Sequence, residues 1–247
     1  MTRSIAVKPI SVEYIDHMGD DKRVANVARV SFAKWDDEDF TEKDANLLAY
    51  LATGLPSAER NNWEAVAKAH THWTPFAHCF LSIRVQVPFF LARQLHKHTV
   101  GLVINEESRR YIKEDVSLWL PDVVHKAPAH AKQGASEEEH NTSLNTEICH
   151  GLAKNVMDKV SSYAVESYYD LLDAGVAPEE ARIVLPLNAM TTWIWSGSLL
   201  AFNRVYQLRK DSHAQGAARE FAHKLGEILY ENFPESMKAL NYGEQLT

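Results

Sequence analysis

The chain has 247 residues, 45% hydrophobic and 24% charged, with a formal net charge of −7 at pH 7. That length supports one large core or two small ones, and the acidic balance argues against a protein that wraps nucleic acid. No apolar run reaches the ~20 residues of a membrane span, and the two cysteines, Cys79 and Cys149, make a reducing cytoplasm the simplest compartment.

The N-terminal stretch MTRSIAVKPISVEYIDHMGD mixes charged and apolar residues too evenly for a secretory signal. Residues 5–16 alternate loosely and predict an early strand. DDKRVANVARVSF has helical apolar spacing, and Thr41 is the expected N-cap of a helix over Glu42 to Leu51. Another helix is expected from Trp63 to His70. His78 to Val87 alternates strongly, with Leu81, Ile83, Val85 and Val87 on one face, and reads as a strand. Pro88 then fits the first turn of a helix, PFFLARQLHKH.

Residues 114–142 carry prolines and a polar, Ala- and Glu-rich patch, which predicts a long surface loop. Thr142 to Leu172 reads as one amphipathic helix, with Gly175 as its C-terminal stop. A short helix opens at Pro178 and runs through Arg182, where Pro186 ends the segment. Leu199 to Leu208 and Ala214 to Asn232 are the last expected helices. Strands and helices do not alternate in a βαβ rhythm. The expectation is therefore α+β, a single domain over 1–247 with one mostly antiparallel sheet flanked by long helices.

Three clusters could carry chemistry. The first is RQLHKHTVGLVINEESRRY, Arg93 to Tyr111. On a helix, Arg93, Gln94 and Lys97 share a face. Asn105, Glu106, Glu107, Ser108, Arg109 and Arg110 follow after Gly101. Cations, a hydroxyl, an amide and carboxylates together suit a nucleotide. A solvated helix end with surface ion pairs is the plainer explanation, and composition alone favours it.

The second cluster places His70, His72 and His78 within nine positions. Their spacing matches no common zinc pattern and Pro75 splits them, so no metal is expected. An aromatic and imidazole pocket that stacks on a flat heterocycle is a further option. The third cluster is Arg182 before IVLP and Arg209 in LRKDSHAQ, where both arginines could be ordinary helix-end charges. No motif around Cys79 or Cys149 marks a thiolate nucleophile.

The clusters acquire a common meaning through resemblance. HWTPFAH, ARIVLPLN, LRKDSHAQ and the ordered Lys97-His98-Thr99, Ser108, Arg110 resemble the flavin-dependent thymidylate synthases (the ThyX family) from about Trp63 to Gln215. The family's Arg-His-Arg triplet stands here as Lys97-His98-Thr99, which resembles a viral and phage-like branch; for such a source the compartment would be the host cytoplasm. Ala77 replaces the family's usual Glu, and Arg204 stands where Asn is common.

The resemblance implies reductive methylation of dUMP to dTMP without an enzyme nucleophile. It implies FAD as cofactor, NADPH as reductant and 5,10-methylenetetrahydrofolate as carbon donor. Gln94, Lys97, Glu106, Ser108, Arg110 and Arg182 would hold dUMP, with Glu107 and Arg109 in the same cluster. Arg209 would lie against the uracil and favour its N3-deprotonated form. Thr74, Lys97, His98, Thr99, Glu106, Ser198 and Arg204 would contact FAD, and His72 would sit near the flavin where folate stacks. A homotetramer with sites built from several subunits is implied, with no nucleic-acid or membrane partner. A pyrimidine nucleotide hydroxymethylase of the same fold is the nearest rival. A non-catalytic metal- or nucleotide-binding protein is the rival from another class.

Overall fold

A computed structural model describes residues 5–113, 115–129, 135–146, 150–211 and 214–242. In chain order it begins with strand β1 (Ser11–Met18) and helices α1 (Asp21–Val30), α2 (Glu42–Thr53) and α3 (Trp63–Lys68). Strand β2 (Phe80–Pro88) leads directly into α4 (Phe89–Leu95), followed by strands β3 (Leu102–Glu106), β4 (Ser143–Asn145) and β5 (His150–Leu152). Helices α5 (Ala153–Asp173) and α6 (Pro178–Ala181) come next, then strand β6 (Met190–Ser198) and helices α7 (Leu199–Lys210), α8 (Gly216–Asn232) and α9 (Pro234–Leu240).

The main sheet has the order β1-β2-β6-β3, and every neighbouring pair is antiparallel. The fold is α+β, as the sequence predicts. On β2, Leu81, Ile83, Val85 and Val87 are buried while Phe80 and Arg84 are exposed. A two-residue period with one apolar face turns that face to the core. On β6, Trp193 and Trp195 point the same way. Trp195 meets Phe202 of α7 edge to face at 5.6 Å, a packing that complements the ring quadrupoles. Helices α1, α2, α4, α7, α8 and α9 all contribute side chains to this core.

Helix ends follow local chemistry. Asp20 caps α1 by accepting from the Arg23 N–H at 2.7 Å. Thr41 and Asp44 form a capping box at α2. Helix α5 ends at Asp173, and the chain turns away two residues later at Gly175, whose φ of +86° is cheap for glycine alone.

Three expectations need correction, the third being the surface loop over 114–142. The helix expected from Thr142 begins only at Ala153. Ahead of it β4 and β5 pair antiparallel, Ser143 opposite Leu152, and Gly151 has a φ of +142° that no helix accommodates. The expected position of Pro88 also shifts: it closes β2 and caps α4 with extended backbone, so the helix starts one residue later. Within the 114–142 stretch, Val116, Ser117 and Leu118 are buried. Leu118 bridges Val7 on one side and Ala189 on the other, and Tyr168 and Ala181 belong to the same apolar cluster.

Candidate active site

The strand β3 ends at Glu106, and the chain then turns through Ser108 to Tyr111. The ladder carries the turn: the Glu107 N–H donates to the Thr192 carbonyl at 2.9 Å, and the Thr191 hydroxyl donates to Glu106 Oε1 at 2.6 Å. The Tyr111 N–H closes the turn on the Ser108 carbonyl at 2.9 Å, and Arg110 Nε lies 3.4 Å from Ser108 Oγ. Backbone bonds therefore fix a serine and two arginines at one point on the sheet edge.

Two further segments face that point. The first N–H groups of α4 bond the carbonyls of Leu187 and Ala189 at 3.0 Å. They satisfy donors that a helix start leaves open, and they hold the Arg182–Leu187 segment against α4. Between these parts lies a cavity of about 600 Å³. Helix α4 contributes Phe89 and Arg93 to its wall and His96 follows at the helix end, β3 and its turn contribute Glu106 to Arg110, and Arg182, Leu185, Pro186 and Leu187 close it. Six sequence-predicted residues thus meet here: Glu106, Glu107, Ser108, Arg109, Arg110 and Arg182.

Four arginines against two glutamates line this cavity, on a chain of net charge −7. The Arg109 side chain is 8% exposed and pairs with Glu107 at 3.6 Å. Burial and that ion pair hold the guanidinium in place on the cavity wall. Arg110 and Arg182 remain exposed. The arrangement suits a phosphate monoester with a polar body attached.

A second group sits at the ends of α4 and α7. Arg209 donates from Nε to His98 Nε2 at 3.1 Å, and its Nη2 lies 2.9 Å from the same nitrogen and 3.4 Å from the Gln94 carbonyl oxygen. The Gln94 side chain donates to Gln215 Oε1 at 2.7 Å. Burial, then the adjacent Arg209 charge, lowers the His98 pKa below its ordinary 6.5. Burial also lowers that of Arg209, which stays a cation at neutral pH.

The remaining expected residues lie elsewhere. Lys97 and Thr99 are exposed beside His98. Thr74 opens a short 3-10 turn, and the adjacent Trp73 ring lies 5.9 Å below the Arg204 guanidinium. Ser198 caps α7 by accepting from the Ala201 N–H at 3.2 Å. His72 stacks on Tyr50 with centroids 5.9 Å apart. Of the expected flavin contacts, only Glu106 lines the 600 Å³ cavity. Among the described residues no three His, Cys, Asp or Glu side chains converge as metal ligands, the cluster of His70, His72 and His78 included.

Sequence reasoning missed Phe89 and His96 as cavity walls and Thr191 as the partner of Glu106. Thr191 lies on β6, whose Thr-Thr-Trp-Ile-Trp alternation is a readable strand signal. His96 carried no signal, because an imidazole between Leu95 and Lys97 looks like helix filler.

Cys79 tests nucleophilic chemistry directly. It is buried, and its Sγ donates to the Asp20 carbonyl at 3.4 Å. Burial, reinforced by the Asp20 charge, pushes its thiol up to about 12. It cannot supply a thiolate near neutral pH. Cys149 lies outside the described residues.

Comparison with known proteins gives these features a family. Residues 13–235 match the model of the thymidylate synthase complementing protein family. The flavin-dependent thymidylate synthase of Thermosipho melanesiensis is 34% identical over 231 residues, spanning 92% of this chain and 90% of the relative. That of Thermosipho africanus is 32% identical over 91% of this chain and 88% of the relative. Among solved structures, the UMP/dUMP methylase PolB of Streptomyces cacaoi, bound with 5-Br dUMP, shares the fold. Its TM-score is 0.75 at 24% identity, covering 97% of both chains. The chain belongs to the thymidylate synthase complementing protein family, that of the flavin-dependent thymidylate synthases.

Proposed function

We propose that this chain converts dUMP to dTMP as one catalytic domain, with its carbon taken from 5,10-methylenetetrahydrofolate. The observation that carries the reading is the convergence of Ser108, Arg109, Arg110 and Arg182 on one cavity. These side chains take the phosphate, the Ser108 hydroxyl and guanidinium forks matching its oxygens. Glu106, Glu107, Gln94 and Lys97 complete the nucleotide contacts. Arg209 lies against the uracil and stabilises negative charge developing at N3.

The residues present fit a flavin. Lys97, Arg204, Thr74, Thr99 and Ser198 offer the cations and hydroxyls that a diphosphate needs, with His98 and Glu106 alongside. FAD, when bound and reduced by NADPH, supplies the hydride that converts the transferred carbon to a methyl group. The buried Cys79 thiol agrees with chemistry that uses no enzyme thiolate. His72, on its Tyr50 shelf, stands where a folate ring stacks. Because the expected flavin contacts are spread beyond the one cavity, the complete site is built between copies of the chain in a homotetramer. No described helix is long and apolar enough to cross a membrane, and the protein acts in the cytoplasm.

The purified protein should be yellow, or become so with FAD. Arg209→Ala should then bind flavin yet lose at least ~100-fold in turnover, the scale of one electrostatic stabiliser. A preparation that FAD cannot reconstitute, or an Arg209→Ala variant of full activity, would contradict the reading.

A further inference from the structure

An imidazole nitrogen accepts a hydrogen bond only while it carries a lone pair. His98 Nε2 faces two guanidinium nitrogens, Arg209 Nε at 3.1 Å and Nη2 at 2.9 Å. His98 must therefore be neutral with its proton on Nδ1. Arg209 has five N–H groups. One on Nε and one on Nη2 go to His98, and the second on Nη2 goes to the Gln94 carbonyl. The two on Nη1 have no partner among the described residues. The guanidinium is held on one edge and offers the other.

We infer that His98 is a positioning residue: by accepting from Arg209 it fixes which guanidinium edge is offered to the pyrimidine, and protonation of His98 undoes the arrangement. This rests on the reading of Arg209 given above. Protonated His98 has no lone pair, so two hydrogen bonds become a donor–donor clash between two cations. Only the long contact to the Gln94 carbonyl would remain.

The surrounding charges are consistent with a neutral imidazole. Arg209 is the charge that bears on His98. Lys210, the next residue of α7, lies over the Tyr206 ring at 4.5 Å. On α4 and just past it, Arg93 lines the cavity and Lys97 is exposed, and Gln215 at the start of α8 is uncharged. Burial and the Arg209 charge both favour the neutral form. The sign is then fixed: Arg209 stays oriented above the His98 titration and is released as pH falls through it, below 6.5.

Nitrogen-15 NMR of histidine-labelled protein, with and without FAD and assigned through backbone connectivity, tests this without a mutation. At pH 8 His98 should show the Nδ1–H tautomer, and it should titrate below 6.5. In Arg209→Gln its midpoint should rise. An Nε2–H tautomer, or a midpoint unchanged by Arg209→Gln, overturns the inference. In turnover with FAD saturating, His98→Gln should keep a carbonyl acceptor for Arg209 and lose the acid limb of kcat, read relative to the variant's own plateau. An acid limb identical to wild type overturns it. Should His98 behave as stated while no dTMP is formed, the proposed function fails and the positioning geometry stands. The reverse pattern, dTMP formed and His98 indifferent to Arg209, removes only the inference.

Discussion

The Ser108 carbonyl accepts from the N–H groups of Tyr111 and Ile112, and among backbone bonds only the long 3.4 Å contact of the Arg110 N–H uses the Ser108 side chain. Removing either side chain should therefore spare the fold and weaken nucleotide binding. A charge-assisted hydrogen bond contributes about 1.5–3 kcal/mol, so Ser108→Ala or Arg110→Ala should raise the dUMP KM about 10- to 100-fold. Steady-state kinetics at saturating folate checks this, and thermal denaturation should move little. Asp44 is a residue of the opposite kind, structural and far from the cavity wall. Its side chain has no exposure, and it accepts from Lys22 at 3.2 Å, from Arg29 and from the Thr41 backbone. Burial alone would push its carboxyl up, but the Thr41 N–H and the two cations outweigh that and hold it down to about 2. Its contribution to stability is complete above pH 3.8 and is lost as pH falls toward 2. Asp44→Asn should cost up to about 3 kcal/mol at neutral pH, because Lys22 and Arg29 are left with Asp36 alone among the described carboxylates, and should flatten the acid end of a denaturation series. At this scale the sequence was informative where residues cluster locally, as from Glu106 to Arg110. It was silent on His96 and on the Arg209–His98 contact, which joins positions 111 residues apart.

At the scale of elements, legibility followed periodicity. Strand β2 was readable because four buried aliphatics alternate with polar neighbours. Strand β3 was not, because Leu-Val-Ile is too short to show a period and sits between motif residues. The helix expected from Thr142 fails although Leu144, Ile148 and Leu152 recur every fourth residue, which suits a helix, because Gly151 interrupts it. The β3–β6 pair is where an element serves the site, since it carries Glu106 and the turn beyond. Gly197 permits that pairing. A Cβ there would lie 2.3 Å from the Gly101 carbonyl oxygen, which is backbone and cannot step aside. Gly197→Ala should therefore cost about 1–3 kcal/mol by overpacking. It should also raise the dUMP KM, although residue 197 touches none of the cavity wall. A melting curve and a KM on the same preparation separate this from a purely global loss.

For the whole molecule, the sheet buries one face under six helices and leaves the functional groups at its margin, where β3, α4 and the Arg182–Leu187 segment meet. An acidic chain thereby assembles a locally basic cavity from segments about 70 residues apart in sequence. Family membership follows from a match over most of the chain, which no single cluster could have supplied. The fold class was legible from the order of the elements. The meeting of Ser108 with Arg182 was not, because it depends on β6 inserting between β2 and β3. Mass spectrometry of the product formed anaerobically from dUMP, methylenetetrahydrofolate, NADPH and FAD decides the reaction. The expected product is dTMP, formed only when flavin is present. Accumulation of 5-hydroxymethyl-dUMP without dTMP would contradict the proposed reaction.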